Sequence, residues 1–235
     1  LNSGSLGRDV GTNSDQSGHL YAAEVEELYR GHEVAIHTVS HPHLPKLDTA
    51  QIAREVLEDR CALEDLVGYP VRGMAYPFGS YDARVIETLR ALGVVYSRTC
   101  ENQARPFPPA EPLAWASTMH QYGGEAGDTV PERFQKMLDN PHASNVFFVW
   151  GHGFEFANND DWDGLERLFK PLAGHDEAWY CTNIELFDYE AARNRVVVAA
   201  NRGSVYNPNG IAVTVSVDGK LLDVPPGATI ALKAG

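Results

Sequence analysis

The residues with the clearest chemistry are His37-Thr38-Val39-Ser40-His41. Two imidazoles four positions apart share one face where the chain curls into a turn, and neutral imidazole is a standard ligand for a borderline divalent cation. The pair follows Glu33-Val34-Ala35-Ile36, a short apolar run after Gly31 that reads as a buried strand. Strand C-termini are where α/β folds place their sites. Thr38 and Ser40 are suited to bond neighbouring backbone and fix such a turn. A third imidazole, His152, follows Val146-Phe147-Phe148-Val149-Trp150-Gly151. It reads as a general acid or base, or as a core histidine bonded to a carbonyl. Ala75-Tyr76-Pro77-Phe78-Gly79 closes another apolar run, and taken alone it is a strand terminator.

These residues need elements to hold them. The pattern predicts a helix over 21–30, a strand over 33–37 and a helix opened by the capping pair Asp48/Gln51 and closed at Gly68. A strand over 72–76, a helix over 83–92 and a strand over 94–97 follow. The stretch 101–128, rich in Pro and Gly, is a long connection of the kind that often carries function. A helix opens at Thr129, a strand runs over 145–150, a helix over 161–173, a strand over 178–181 and a helix over 184–193. Alternation of this kind predicts a parallel sheet with helical crossovers, open or barrel-like. Beyond Arg195 the texture becomes β-rich, with turn signals at Asn207-Pro208-Asn209-Gly210, Asp218-Gly219 and Pro225-Pro226-Gly227. The expected division is a first domain at 1–192 and a small antiparallel β tail at 193–235.

The three motifs together resemble the polysaccharide deacetylases, the family with the NodB-homology domain also called carbohydrate esterase family 4. The resemblance covers about residues 1–192. His37-Thr38-Val39-Ser40-His41 fits its H-[ST]-x-x-H metal motif, and Ala75-Tyr76-Pro77-Phe78-Gly79 fits its groove wall. Val149-Trp150-Gly151-His152 fits the motif that ends in the catalytic histidine. Flanking stretches match a branch of the family: Gly31-His32-Glu33-Val34-Ala35, Trp150 to Phe156, and Trp179 to Glu185.

The resemblance implies an α/β fold, a distorted and here incomplete (β/α) barrel with the β tail as a C-terminal appendage. It implies removal of N- or O-linked acetyl groups from an acetylated oligo- or polysaccharide. His37 and His41 would hold a divalent metal, commonly zinc. His152 would protonate the departing group, and the Phe78 N–H would help bind the oxyanion. Tyr76 and Phe78 would contact sugar. Two departures matter. Ala75 stands where many relatives carry an arginine, and the aspartate-pair motif, roughly T-F-D-D-G, does not occur in the sequence. The expectation is a chain that begins just downstream of that motif. Asp9 and Asp15 follow no strand and are not substitutes.

Other residues carry weaker signals. His120 and Trp115, in the long connection, are candidates to line the sugar groove, with packing the alternative for Trp115. Trp162, among Asp160, Asp161 and Asp163, is placed to stack on a sugar face or to pack at a helix start. His43 is a further ligand or a solvated loop histidine, and Glu155 a neighbour that tunes His152 or a helix cap. A rival reading is a non-catalytic carbohydrate-binding relative that has lost the aspartate motif. An unrelated barrel amidohydrolase would need further ligands, and none is visible.

Bulk properties narrow the classes. A net charge of −13 without a basic run argues against nucleic acid as partner, and no apolar run is long enough for membrane insertion. Cys61, Cys100 and Cys181 form no C-x-x-C pair and predict neither a disulfide framework nor a zinc ribbon. Unpaired cysteines without a recognisable signal segment lean towards the cytoplasm.

Overall fold

The computed structural model describes residues 1–7, 20–103, 106–123, 127–140 and 146–232 of the 235. Asp9 and Asp15 lie outside the described residues. Two compact units are present, Leu1–Tyr180 and Cys181–Gly235.

In the first unit a short helix α1 (Val25–Leu28) leads through Gly31, at φ 82°, into the buried run Val34 to Ile36. That run is extended, and it pairs by a single parallel bridge, Ile36 to Met74. Helix α2 (Thr49–Val67) crosses over next. Asp48 and Gln51 exchange side-chain and backbone bonds as the capping box predicts, and Gly68 ends the helix in the left-handed region at φ 73°. Strand β1 (Gly73–Ala75), helix α3 (Ala83–Ala91) and strand β2 (Tyr96–Asn102) complete a parallel crossover unit. Strand β3 (Trp115–Ser117) extends the sheet in parallel, with an irregularity in β2 between Arg98 and Asn102.

Strand β4 (Met119–His120) pairs in parallel with β5 (Val149–Trp150), with α4 (Val130–Leu138) between them in sequence. Thr129 and Glu132 cap α4 as a reciprocal box. Helices α5 (Gly153–Asn158) and α6 (Trp162–Phe169) follow. Among the described residues the named strands of this unit pair in parallel, with one isolated antiparallel bridge from His120 to Gly123, and strands and helices together bear out the mixed α/β reading. The core lies in two clusters. A large one joins Ile36, Val56, Leu63, Met74, Tyr76 and Leu89, and a smaller one joins Met119, Val130, Phe156 and Leu168.

Two strand expectations need correction. Residues 178–181 form no strand. Trp179 and Tyr180 are exposed, and the Tyr180 hydroxyl donates to Leu172 O at 2.7 Å and accepts from His175 N at 3.1 Å. The apolar run there reports a looped aromatic pair. Asn145 lies outside the described residues, and of 146–150 only Val149–Trp150 is strand, with the Thr118 hydroxyl taking the Phe148 N–H at 2.9 Å.

The second unit begins with α7 (Asn183–Arg193), capped by Thr182 and Glu185. Strands β6 (Val197–Val198), β7 (Ser204–Tyr206) and β10 (Thr229–Ala231) form one antiparallel sheet. Strands β8 (Val213–Val217) and β9 (Lys220–Val224) form a hairpin turned at Asp218-Gly219, both at positive φ as a tight two-residue hairpin needs. Fully buried Asn207 ties the unit together, donating to Ile211 O and Val224 O at 2.8 Å each, while Asn209 reaches Ala192 O at 2.8 Å. Helix α7, grouped on sequence with the first domain, is thus part of the second unit, where the Tyr189 hydroxyl also accepts from Thr214 N at 3.0 Å.

Candidate active site

The loop from His37 to His41 is held in a conformation its sequence resists. Thr38 and His41 both sit at positive φ, 66° and 55°. For a β-branched residue that is an outlier costing roughly 1–3 kcal/mol, and it persists only where surroundings fix it. The fixings are visible. Asn2 Nδ2 donates to Thr38 O at 2.6 Å, His41 N donates to Thr38 Oγ1 at 3.1 Å, and Ser40 donates twice to Glu55. Thr38 and Ser40 fix the turn, as expected.

Behind the loop lies Asp59, fully buried on α2. It accepts from Ser3 N at 2.7 Å and His37 N at 2.8 Å. Burial pushes its carboxyl up, and these hydrogen bonds oppose the shift without cancelling it. Sequence reasoning missed Asp59, although the signal was present: it occupies the apolar stripe of α2 among Ile52, Val56 and Leu63. A carboxylate in such a stripe marks a buried polar contact.

The rings of His37 and His41 approach with centroids 4.7 Å apart at 63°. His37 Nδ1 bonds Ala75 O at 2.7 Å, so Nδ1 carries the proton and Nε2 is free with its lone pair. A ring nitrogen fixed on a carbonyl is the usual outer support of a metal-binding histidine. Burial drives the His37 pKa down to about 4, with the Ala75 bond resisting, and burial also lowers that of His41. Both imidazoles are therefore neutral at pH 7 and able to bind a cation. As a donor set the pair fits two positions of a divalent-metal shell, and no carboxylate completes it among the described residues. His43 is not a third donor here: it stacks on Phe78 at 4.1 Å and its Nδ1 meets Ser80 Oγ at 3.1 Å.

The motif after β1 divides its roles. Phe78, at φ 57°, is 57% exposed and packs its ring edgewise on His41 at 4.5 Å. No acceptor for its N–H lies among the described residues. Gly79, at φ 64°, is required sterically, since a Cβ would sit 2.7 Å from Cys100 Cβ. Tyr76 does not line a groove. It is fully buried, its hydroxyl donates to Leu113 O at 2.7 Å, and it stacks on Tyr81. Tyr76, extended just past the end of β1, turns its side chain into the core. Trp115 packs too, against Phe148 at 4.5 Å.

His152 lies where β5 ends, at the start of α5, and its charge bears on His41. Its Nδ1 donates to Glu155 Oε1 at 2.7 Å, leaving Nε2 free. Glu155 also accepts from Gln121 Nε2 at 2.7 Å and lies 3.4 Å from His120 Nε2. Burial opposes its ionisation, yet the bonds from His152 and Gln121 prevail and hold the carboxyl below its ordinary range. Gln121 was not legible in sequence; it reaches the pair only because β4 lies beside β5. Trp162 is 56% exposed at the start of α6 and has no hydrogen bond or ring contact among the described residues. The structure brings His37, His41 and Phe78 together in one group and His120, His152 and Glu155 in another, with the charge of His152 bearing on His41, and leaves Tyr76 and Trp162 out of both.

Arg98 links the two histidine groups. It sits opposite Ala75 in the β1–β2 register, its guanidinium lies 4.9 Å from the Trp150 ring, and its charge helps depress His37. Trp150 in turn meets His120 edgewise at 4.7 Å and donates from Nε1 to Asn102 Oδ1 at 2.7 Å.

Comparison with known proteins locates this arrangement. Residues 7–97 match the family model described as polysaccharide deacetylase. Over 80 residues the chain is 31% identical to the peptidoglycan-N-acetylglucosamine deacetylase PgdA of Listeria monocytogenes, covering 34% of this chain and 16% of that one. A crystal structure of a polysaccharide deacetylase from Mycobacterium smegmatis superposes with a TM-score of 0.56 at 15% identity, covering 74% of this chain and 68% of that one. At that identity the likeness speaks for the fold alone, and it agrees with the parallel α/β arrangement. The match over 7–97 takes in His37 and His41 together with α2, β1 and the Phe78 turn that hold them, and over this stretch the chain is similar to the polysaccharide deacetylase family.

Proposed function

We propose that this chain is a metal-dependent hydrolase that removes acetyl groups, N- or O-linked, from an acetylated oligo- or polysaccharide. One observation carries the reading: His37 and His41 meet at 4.7 Å with the His37 Nδ1 proton committed to Ala75 O, so that a free imidazole nitrogen is offered to a cation. A divalent cation such as zinc, when bound there, would polarise the acetyl carbonyl and acidify water. The parallel strands are read as segments of a distorted (β/α) barrel with this loop at one mouth.

The chain's own residues then have these tasks. Protonated His152 gives its Nε2 proton to the leaving nitrogen or oxygen as the bond to the acetyl carbon breaks, with Glu155 holding the ring through Nδ1. The unengaged Phe78 N–H faces developing negative charge on the acetyl oxygen. The exposed Phe78 ring, stacked on His43, is an apolar wall for a sugar face. Because PgdA is named for N-acetylglucosamine in peptidoglycan, N-acetylglucosamine oligomers are the first substrates to try. The expected result is acetate release that a chelator abolishes and added zinc restores. No acetate from N-acetylated or O-acetylated glycans would refute the reading.

A second reading is favoured by a specific observation: among the described residues no carboxylate joins His37 and His41 in a ligand group, Asp59 being engaged by the His37 and Ser3 N–H groups. Two neutral ligands bind a cation weakly and leave no group to take a proton from water. A non-catalytic carbohydrate-binding relative would bind the same oligomers, release no acetate and be indifferent to chelator.

A further inference from the structure

The group of His120, His152 and Glu155 holds a fuller donor set than the His37–His41 pair. His120, His152 and Glu155 each present one ligand atom, and these atoms all lie within 4.8 Å of one another. The His152 Nδ1–Glu155 Oε1 distance is 2.7 Å and His120 Nε2–Glu155 Oε2 is 3.4 Å. Bond lengths near 2.0–2.1 Å in a tetrahedral shell place donors about 3.3 Å apart, so small side-chain shifts admit a cation. Two imidazoles and one carboxylate are also a donor set that zinc uses with an open fourth position. The groups come from β4, the N-cap of α5 and the first turn of α5, a framework that needs no refolding to close on an ion. His120 Nδ1 accepts from Tyr122 N at a long 3.4 Å, so moving the His120 proton from Nε2 to Nδ1 surrenders little.

We propose that His120, His152 and Glu155 form a second divalent-cation site, selective for zinc-like ions, and that filling it inhibits the enzyme. The inhibitory half rests on the deacetylase reading. With a cation on Nδ1, His152 keeps a proton only on Nε2 of a metal-bound neutral imidazole, which is too weak an acid to protonate a leaving amine. The ion also takes Glu155 away from the ring it orients.

Cobalt, whose visible absorption reports tetrahedral N/O coordination, tests this without reference to activity. Metal-free protein carrying His37→Ala and His41→Ala should bind one Co2+ with a visible band, and adding His120→Ala or Glu155→Gln should remove it. In the unmutated protein the stoichiometry should fall by one with His120→Ala, which covers the event that the double variant fails to fold. Absence of the band in the folded double variant, or a stoichiometry unaffected by His120→Ala, would overturn the site. Where acetate release is measurable, turnover should rise and then fall as zinc is added, and the falling limb should vanish in His120→Ala. A falling limb that survives His120→Ala refutes the inhibition. Lack of any turnover, with the cobalt band intact, refutes the deacetylase reading and with it the inhibition, and leaves the cation site standing.

Discussion

The two halves of the site are built by different means. The His37–His41 half is fastened through backbone: Ala75 O orients His37, Asp59 holds its N–H, and Asn2 and Thr38 clamp the turn. It sits on the large cluster of Ile36, Met74 and Tyr76. The His120–His152 half is fastened through side chains, with Glu155 gathering His152 and Gln121, and it sits on the small cluster of Met119 and Phe156. A metal ligand must stay put within tenths of an ångström, whereas a proton donor must shift between partners during turnover. On the proposed reading the stiffer half suits cation binding, and the softer half suits proton delivery.

The comparison can be broken at several points, with decreasing effect. His152→Ala should reduce acetate release by about 10²–10⁴ while leaving cation binding at His37 and His41 intact. Equal loss of both would mean that the halves are one unit. His37→Ala should weaken cation binding by more than the roughly 10–100-fold typical of losing an outer partner, read by equilibrium dialysis against zinc. Asp59→Ala should cost about 1–3 kcal/mol in urea unfolding, because two N–H groups lose a buried acceptor. Glu155→Gln, on the softer side, should cost less stability than that and more activity. If Glu155→Gln proved the more destabilising, the contrast in stiffness would be wrong.

A further effect is one of pH. His37 is held near 4 in the folded chain against an ordinary 6.5, so the unfolded chain takes up the proton first. Its contribution is complete above about 6.5 and is lost as pH falls from there towards 4. Metal-free protein should lose stability across that window, and His37→Gln should flatten the slope. An unchanged slope would show that the ring is not desolvated.

Much of the stiff half was legible in sequence because it is local. The capping box at Asp48 and Gln51, the glycine stops at Gly31 and Gly68, and the H-x-x-x-H turn each depend on residues within a few positions. What was illegible depends on neighbours brought together by the sheet. Tyr76, just past β1, is drawn into the core by its bond to Leu113 O, a partner 37 residues away. Gln121 and His120 gain their partner through the β4–β5 pairing, and residues 178–181 lose strand character to the Tyr180 hydroxyl bonds. Asp59 lies between these cases: its stripe position was readable, its backbone partners were not.

The most direct test is anomalous diffraction at the zinc edge from crystals grown with stoichiometric zinc. The account predicts a peak within about 2.0–2.1 Å of a ring nitrogen of both His37 and His41. A crystal in which those two rings touch no common ion, with zinc held elsewhere or by one of them alone, would contradict it.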